Sequence, residues 1–68
     1  MTNTKLLKKK IDESGYKISF IATKCGLTYQ GFLPKMNGVR EFKQTEIVVI
    51  KELLNLTQEE ADEIFFAA

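Results

Sequence analysis

Apolar residues recur at helical spacing along most of the chain. Leu7 and Ile11 lie one i, i+4 step apart with Leu6 beside them, which predicts a first helix capped by Thr4 and running to about Ser14, where Gly15 stops it. Ile21, Ala22 and Cys25 share one face of a shorter second helix from about Ile18 to Cys25, ended by Gly26. The small Ala22 allows close approach of a neighbouring helix. Thr28 is an N-cap for a third segment, Tyr29 to Met36, with Phe32 and Met36 as i, i+4 partners and Asn37-Gly38 as the closing turn. A fourth helix, Gln44 to Asn55, turns Ile47, Ile50, Leu53 and Leu54 inward. Its Ile47-Val48-Val49-Ile50 run has the composition of a strand, but the helical pattern continues through Leu54 and no second strand offers a partner. Thr57 and Glu60 form a capping box, and Leu56 can pack on Ala61 as a staple, which predicts a last helix from Gln58 to about Phe66.

The expected fold is therefore all-α, five helices in one domain over residues 1–68, with loops of a length that suits a compact bundle. One segment conflicts with its own pattern. Glycine costs about 1 kcal/mol in a helix interior and proline about 3 kcal/mol, so Gly31 and Pro34 predict a third helix that kinks, ends near Leu33 or restarts at Pro34.

Composition removes several kinds of chemistry. Cys25 is the only cysteine and histidine is absent, which excludes a disulfide framework, thiolate–imidazole pairs and the usual zinc sites. A lone cysteine at an apolar helical position reads as a small core residue. There is no Gly-rich phosphate loop and no paired-carboxylate site, so no enzyme activity, catalytic residue, metal or cofactor is expected. Apolar stretches such as Ile47 to Ile50 are far too short to span a bilayer, and a cytoplasmic protein is expected. The net charge of +1 conceals a polarity: residues 1 to 43 carry nine bases against three acids, and residues 44 to 68 carry Lys51 against six acids. The first part thus has a net charge of +6 and the second −5, which fits one end facing a polyanion.

The informative stretch runs from Ile18 to Phe32. A short helix, a turn containing Gly26 and a second helix have the spacing of a helix-turn-helix, whose second helix can lie in the major groove of DNA with its N-terminal residues at base edges. Ile21-Ala22 in the second helix, Gly26-Leu27-Thr28 at the turn, Phe32, Asn37-Gly38, Arg40 and Leu53-Leu54-Asn55-Leu56 before the last helix follow in a fairly specific order. In this the chain resembles the lambda-repressor-like family, including the Cro proteins, over nearly its whole length. The resemblance implies a sequence-specific DNA-binding transcriptional regulator, repressor or Cro-like, with double-stranded DNA as partner and no small-molecule substrate. It makes Thr28, Tyr29 and Gln30 the base-facing start of the third helix, and Gln30 can offer its amide to adenine in a two-bond contact. Lys17, Ser19, Lys24, Asn37, Arg40 and Lys43 become phosphate-side residues that fix register without reading sequence. Phe20 stands where the family usually has a charged residue, and either extends the core or joins an exposed patch.

Two further expectations concern partners. The apolar end Ile64-Phe65-Phe66-Ala67-Ala68 either supplies a homodimer surface through Ile64, Phe65 and Phe66 or closes the monomer's own core. The alternative function is a protein-interaction module that retains the fold without specific DNA binding.

Overall fold

Three helices of this protein end in the same backbone arrangement, and each such end turns the chain toward its next partner. In the computed structural model, which describes residues 1–67, the described residues form five helices and no strand: α1 (Thr4–Ser14), α2 (Ile18–Lys24), α3 (Tyr29–Met36), α4 (Gln44–Leu53) and α5 (Gln58–Phe65). After α2, Leu27 N–H donates to the Ala22 carbonyl and Gly26 N–H to that of Thr23. Val39 and Gly38 do the same to Pro34 and Lys35 after α3, and Leu56 and Asn55 to Lys51 and Glu52 after α4. These paired bonds satisfy carbonyls that a helix end otherwise leaves open, and they need one left-handed residue each. Gly26 (φ 75°), Gly38 (φ 81°) and Asn55 (φ 54°) take that conformation. The same turns explain why α2 stops at Lys24 instead of Cys25 and α4 at Leu53 instead of Asn55.

At the N-terminal ends, Asn3 caps α1 in place of Thr4. Its side-chain oxygen accepts from Leu6 N–H at 3.2 Å, leaving Thr4 inside the first turn, and Asn is at least as good a cap as Thr. The backbone N–H of Asn3 also donates to the Ile64 carbonyl at 2.6 Å, tying the start of α1 to α5. Thr28 caps α3 by accepting from Gly31 N–H at 3.1 Å. Thr57 and Glu60 exchange both bonds of the capping box, at 3.1 and 2.9 Å.

Pro34 neither ends nor restarts the third helix: α3 runs unbroken from Tyr29 to Met36. The missing proline N–H deprives only the Gln30 carbonyl of a helical donor, and Gln30 is exposed, so water can serve that oxygen.

The core gathers Leu7 and Ile11 of α1, Ile21 and Ala22 of α2, Phe32 and Met36 of α3, Ile47 and Ile50 of α4, and Ala61, Ile64 and Phe65 of α5. Leu56 is buried just ahead of α5, consistent with its staple position beside Ala61. Phe42, in the loop between α3 and α4, meets Phe32 edge-on at 5.7 Å and Phe65 at 5.4 Å, so three aromatic rings run through the centre. Cys25 is half-buried and packs against this core. Ile64 and Phe65 are interior, so of the three residues expected at a homodimer surface only Phe66 is exposed; Ala68 lies outside the described residues. Around the core α2 packs on α3, α1 on α3 and α5, and α4 on α2 and α5.

One polar contact is buried among these helices. The Lys35 ammonium donates to both carboxylate oxygens of Glu46, at 2.7 and 2.9 Å, which pins the end of α3 to the start of α4. Glu46 also accepts from the backbone N–H of Lys43 at 2.8 Å. Burial pushes the Glu46 carboxyl up, but the Lys35 ammonium and the Lys43 N–H outweigh it and hold the group below the ordinary carboxylate range.

Candidate nucleic-acid interface

The left-handed turn at Gly26 brings the chain from the end of α2 to Thr28 in two residues, so the first turn of α3 starts at the surface beside α2. Thr28, Tyr29 and Gln30 are all exposed there. The Thr28 oxygen is occupied by its cap bond to Gly31, which leaves its hydroxyl proton as the group able to meet a ligand acceptor. A Cβ at Gly31 would stand 3.3 Å from that oxygen, closer than most real Cβ contacts. Glycine here leaves the cap room, at the helix-propensity cost its presence implies.

The six residues expected on the phosphate side are also exposed. Lys17 and Ser19, at the start of α2, line a surface groove of about 620 Å³ together with Tyr29. Ile11, Ile18 and Met36 contribute apolar surface to this groove, and Lys8, Asp12 and Tyr16 line it as well. Lys24 borders a second depression with Val49, Glu52 and Leu53. Its ammonium sits 5.3 Å from the centre of the Phe20 ring, which in turn stacks on Tyr16 at 5.2 Å. Phe20 thus belongs to an exposed aromatic patch and not to the core. Asn37 is the C-cap of α3, Lys43 the N-cap of α4, and Arg40 lies between them, with its N–H on the Pro34 carbonyl at 3.2 Å.

Ion pairing redistributes the charge polarity of the chain. Lys10 pairs with Glu60 and reaches Glu13, and Lys35 pairs with Glu46. The bond to Glu60 raises the Lys10 pKa, and the same bond, helped by the Thr57 N–H, holds the Glu60 carboxyl down at about 2. Among the described residues Lys5, Lys8, Lys9, Lys17, Lys24, Arg40, Lys43 and Lys51 have no carboxylate within ion-pair distance, although the Lys51 ammonium donates to the Gln58 side chain. Seven of these eight bases belong to residues 1 to 43 and remain available to an anion.

Comparison with protein-family models, with curated proteins and with solved structures gives no match.

Burial pushes the Cys25 thiol up to about 11, with Glu46 adding to the shift, so the group is a neutral thiol at pH 7 and a poor nucleophile. Among the described residues no three Cys, Asp or Glu side chains converge as a metal site, and no helix is long and apolar enough to cross a membrane. Lys8 in the groove and the Lys35–Glu46 pair in the core have little or no signal in the sequence. The placement of Lys8 in the groove depends on the angle between α1 and α3, for which the sequence carries no signal. Glu46 did carry one, as an acid three residues after the N-cap Lys43, but its partner Lys35 reads as one more surface base.

Proposed function

We propose that this protein binds double-stranded DNA as a sequence-specific transcriptional regulator of the lambda-repressor-like or Cro type. In this reading α2, the Gly26 turn and α3 act as a helix-turn-helix, and the start of α3 enters the major groove. The observation that carries it is the exposed start of α3, where Thr28, Tyr29 and Gln30 are capped in place on a packed α2–α3 unit that has unpaired bases on its flanks. Gln30 reads a base edge through its amide, Tyr29 lies against a thymine methyl group or donates to phosphate, and Lys17, Ser19, Lys24, Asn37, Arg40 and Lys43 hold the backbone. The role is regulatory and not enzymatic, and it places the protein in the cytoplasm with the DNA.

The test is selection of a preferred site from a randomised duplex pool, followed by titration at several salt concentrations. A regulator of this kind prefers the selected duplex over random sequence by about 10³-fold or more and loses affinity steeply with salt. On that pair of duplexes Gln30→Ala should remove about 1–3 kcal/mol of discrimination, while Arg40→Ala weakens both alike. Equal losses on both duplexes for Gln30→Ala would remove it as a base reader.

A protein-interaction module that keeps the fold without specific DNA binding is the second reading, favoured by the exposed Tyr16–Phe20 stack. It expects no site to emerge from the pool, and weak binding that does not distinguish sequences.

A further inference from the structure

The groove beside the start of α3 contains a base that the contacts named so far do not use. Leu7 and Ile11 fix the inner face of α1. Lys8 and Lys9 follow Leu7 and are both exposed, but successive helical residues point about 100° apart, and of the two only Lys8 lines the groove. There it joins Lys17 and Ser19 of the α2 start and Tyr29 of α3. Neither lysine has a carboxylate within ion-pair distance among the described residues. Two ammonium groups and a hydroxyl on the walls of a groove that leads to Tyr29 match the charge and donor needs of a sugar–phosphate strand.

We infer that one strand of duplex DNA runs along this groove and that Lys8 of α1 contacts its phosphates, carrying the interface beyond α2 and α3. The inference rests on the DNA reading above. Asp12 lines the same groove, and its carboxylate repels the strand, so it weakens binding to every sequence alike.

The experiment compares the full chain with Lys8→Gln, Lys9→Gln and Asp12→Asn, each confirmed folded by its thermal melt. Labelled duplexes, one selected and one random, are titrated between 50 and 200 mM salt. Lys8→Gln should flatten the dependence of log affinity on log salt by about 0.9 on both duplexes, so that the wild-type advantage shrinks about 3.5-fold across that range. Lys9→Gln should change the slope by less than half as much, and Asp12→Asn should tighten binding to both duplexes. Equal slope changes for Lys8→Gln and Lys9→Gln would mean a diffuse basic field and overturn the inference, as would an unchanged slope for Lys8→Gln. Either result leaves DNA binding itself standing. A wild-type chain that binds neither duplex would instead remove the DNA reading, and this contact with it.

Discussion

Replacing Lys35 with Met tests how much of this small fold depends on one buried ion pair. Both side chains are nearly out of solvent, with 11% and 5% of their surface exposed. Lys35→Met therefore leaves the Glu46 carboxylate buried without a cation, its remaining partner being the Lys43 N–H. Breaking a buried pair from one side costs about 3–5 kcal/mol. A domain of this length has a total stability of only about 3–10 kcal/mol, so the variant should lose much of its margin. The pH dependence carries the sharper expectation. In the wild type Glu46 is held below its ordinary value of 4.5, so its stabilisation is complete above that value and is lost as the pH falls through the depressed pKa. In Lys35→Met the carboxyl is desolvated without its cation, its pKa moves up, and acid relieves the buried charge. The deficit of the variant relative to wild type should therefore shrink between pH 7 and pH 4. Urea denaturation at both pH values measures it. Adding Glu46→Gln, which removes the stranded charge and can still accept from Lys43, should recover at least half of the loss. A deficit below about 1 kcal/mol, or one of the same size at both pH values, would refute the argument that the pair is desolvated and structurally committed.

Three further outcomes follow from the fold. Phe65→Ala removes the ring at the end of the Phe32–Phe42–Phe65 series and should cost about 3–5 kcal/mol, whereas Phe66→Ala, at an exposed ring, should stay within about 0.5 kcal/mol; paired thermal melts separate the two. Glu60→Gln keeps the capping bonds but removes a carboxyl whose folded pKa is about 2. Its disadvantage against wild type should be constant above about pH 5.5 and fade as the pH falls from there toward 2, and a pH-independent difference would show that the Lys10 contact contributes nothing. Pro34→Ala restores a donor to the Gln30 carbonyl in an unbroken helix. It should raise stability by about 1–2 kcal/mol after the loss of proline's unfolded-state advantage, read as a melting-temperature increase of several degrees; a lower melting temperature would mean that the ring itself supports the packing.

How much of this was legible in the sequence depends on whether the deciding contact is local. The starts of α3 and α5 were readable because Thr28 and Thr57 reach donors three residues ahead. The assignment of α1 to Thr4 failed by one residue because Asn3 and Thr4 are both competent caps, and only the tie between Asn3 and Ile64 distinguishes them. Phe42 sits outside every helix and so outside every periodic pattern, yet it is the middle ring of the aromatic core. At the candidate interface, exposure of Thr28, Tyr29 and Gln30 follows from a capped helix start and was readable. The meeting of Lys17, Ser19 and Tyr29 in one groove was not, because it depends on which neighbours the start of α2 faces.

The third helix shows why local and tertiary terms must be weighed against each other. Gly31 and Pro34 together cost it about 4 kcal/mol of helix propensity, more than an isolated segment of eight residues could bear. It persists because both of its ends are fastened and its inner face is buried. Thr28 closes the start, the Gly38 turn closes the end, Phe32 and Met36 lie in the core, and Lys35 is held by Glu46. None of these restraints uses the side chains of Tyr29 or Gln30, which stay free at the surface. A helix that owes its form to contacts on the far side can exchange its exposed residues at little cost in stability. Any loss of the far-side contacts, by contrast, reaches the exposed residues directly. The Lys35 and Gln30 variants therefore separate two effects that look alike in a single binding curve. Lys35→Met should weaken DNA binding in proportion to the unfolded fraction and leave the preference between duplexes intact, while Gln30→Ala should change the preference in a chain that melts as the wild type does.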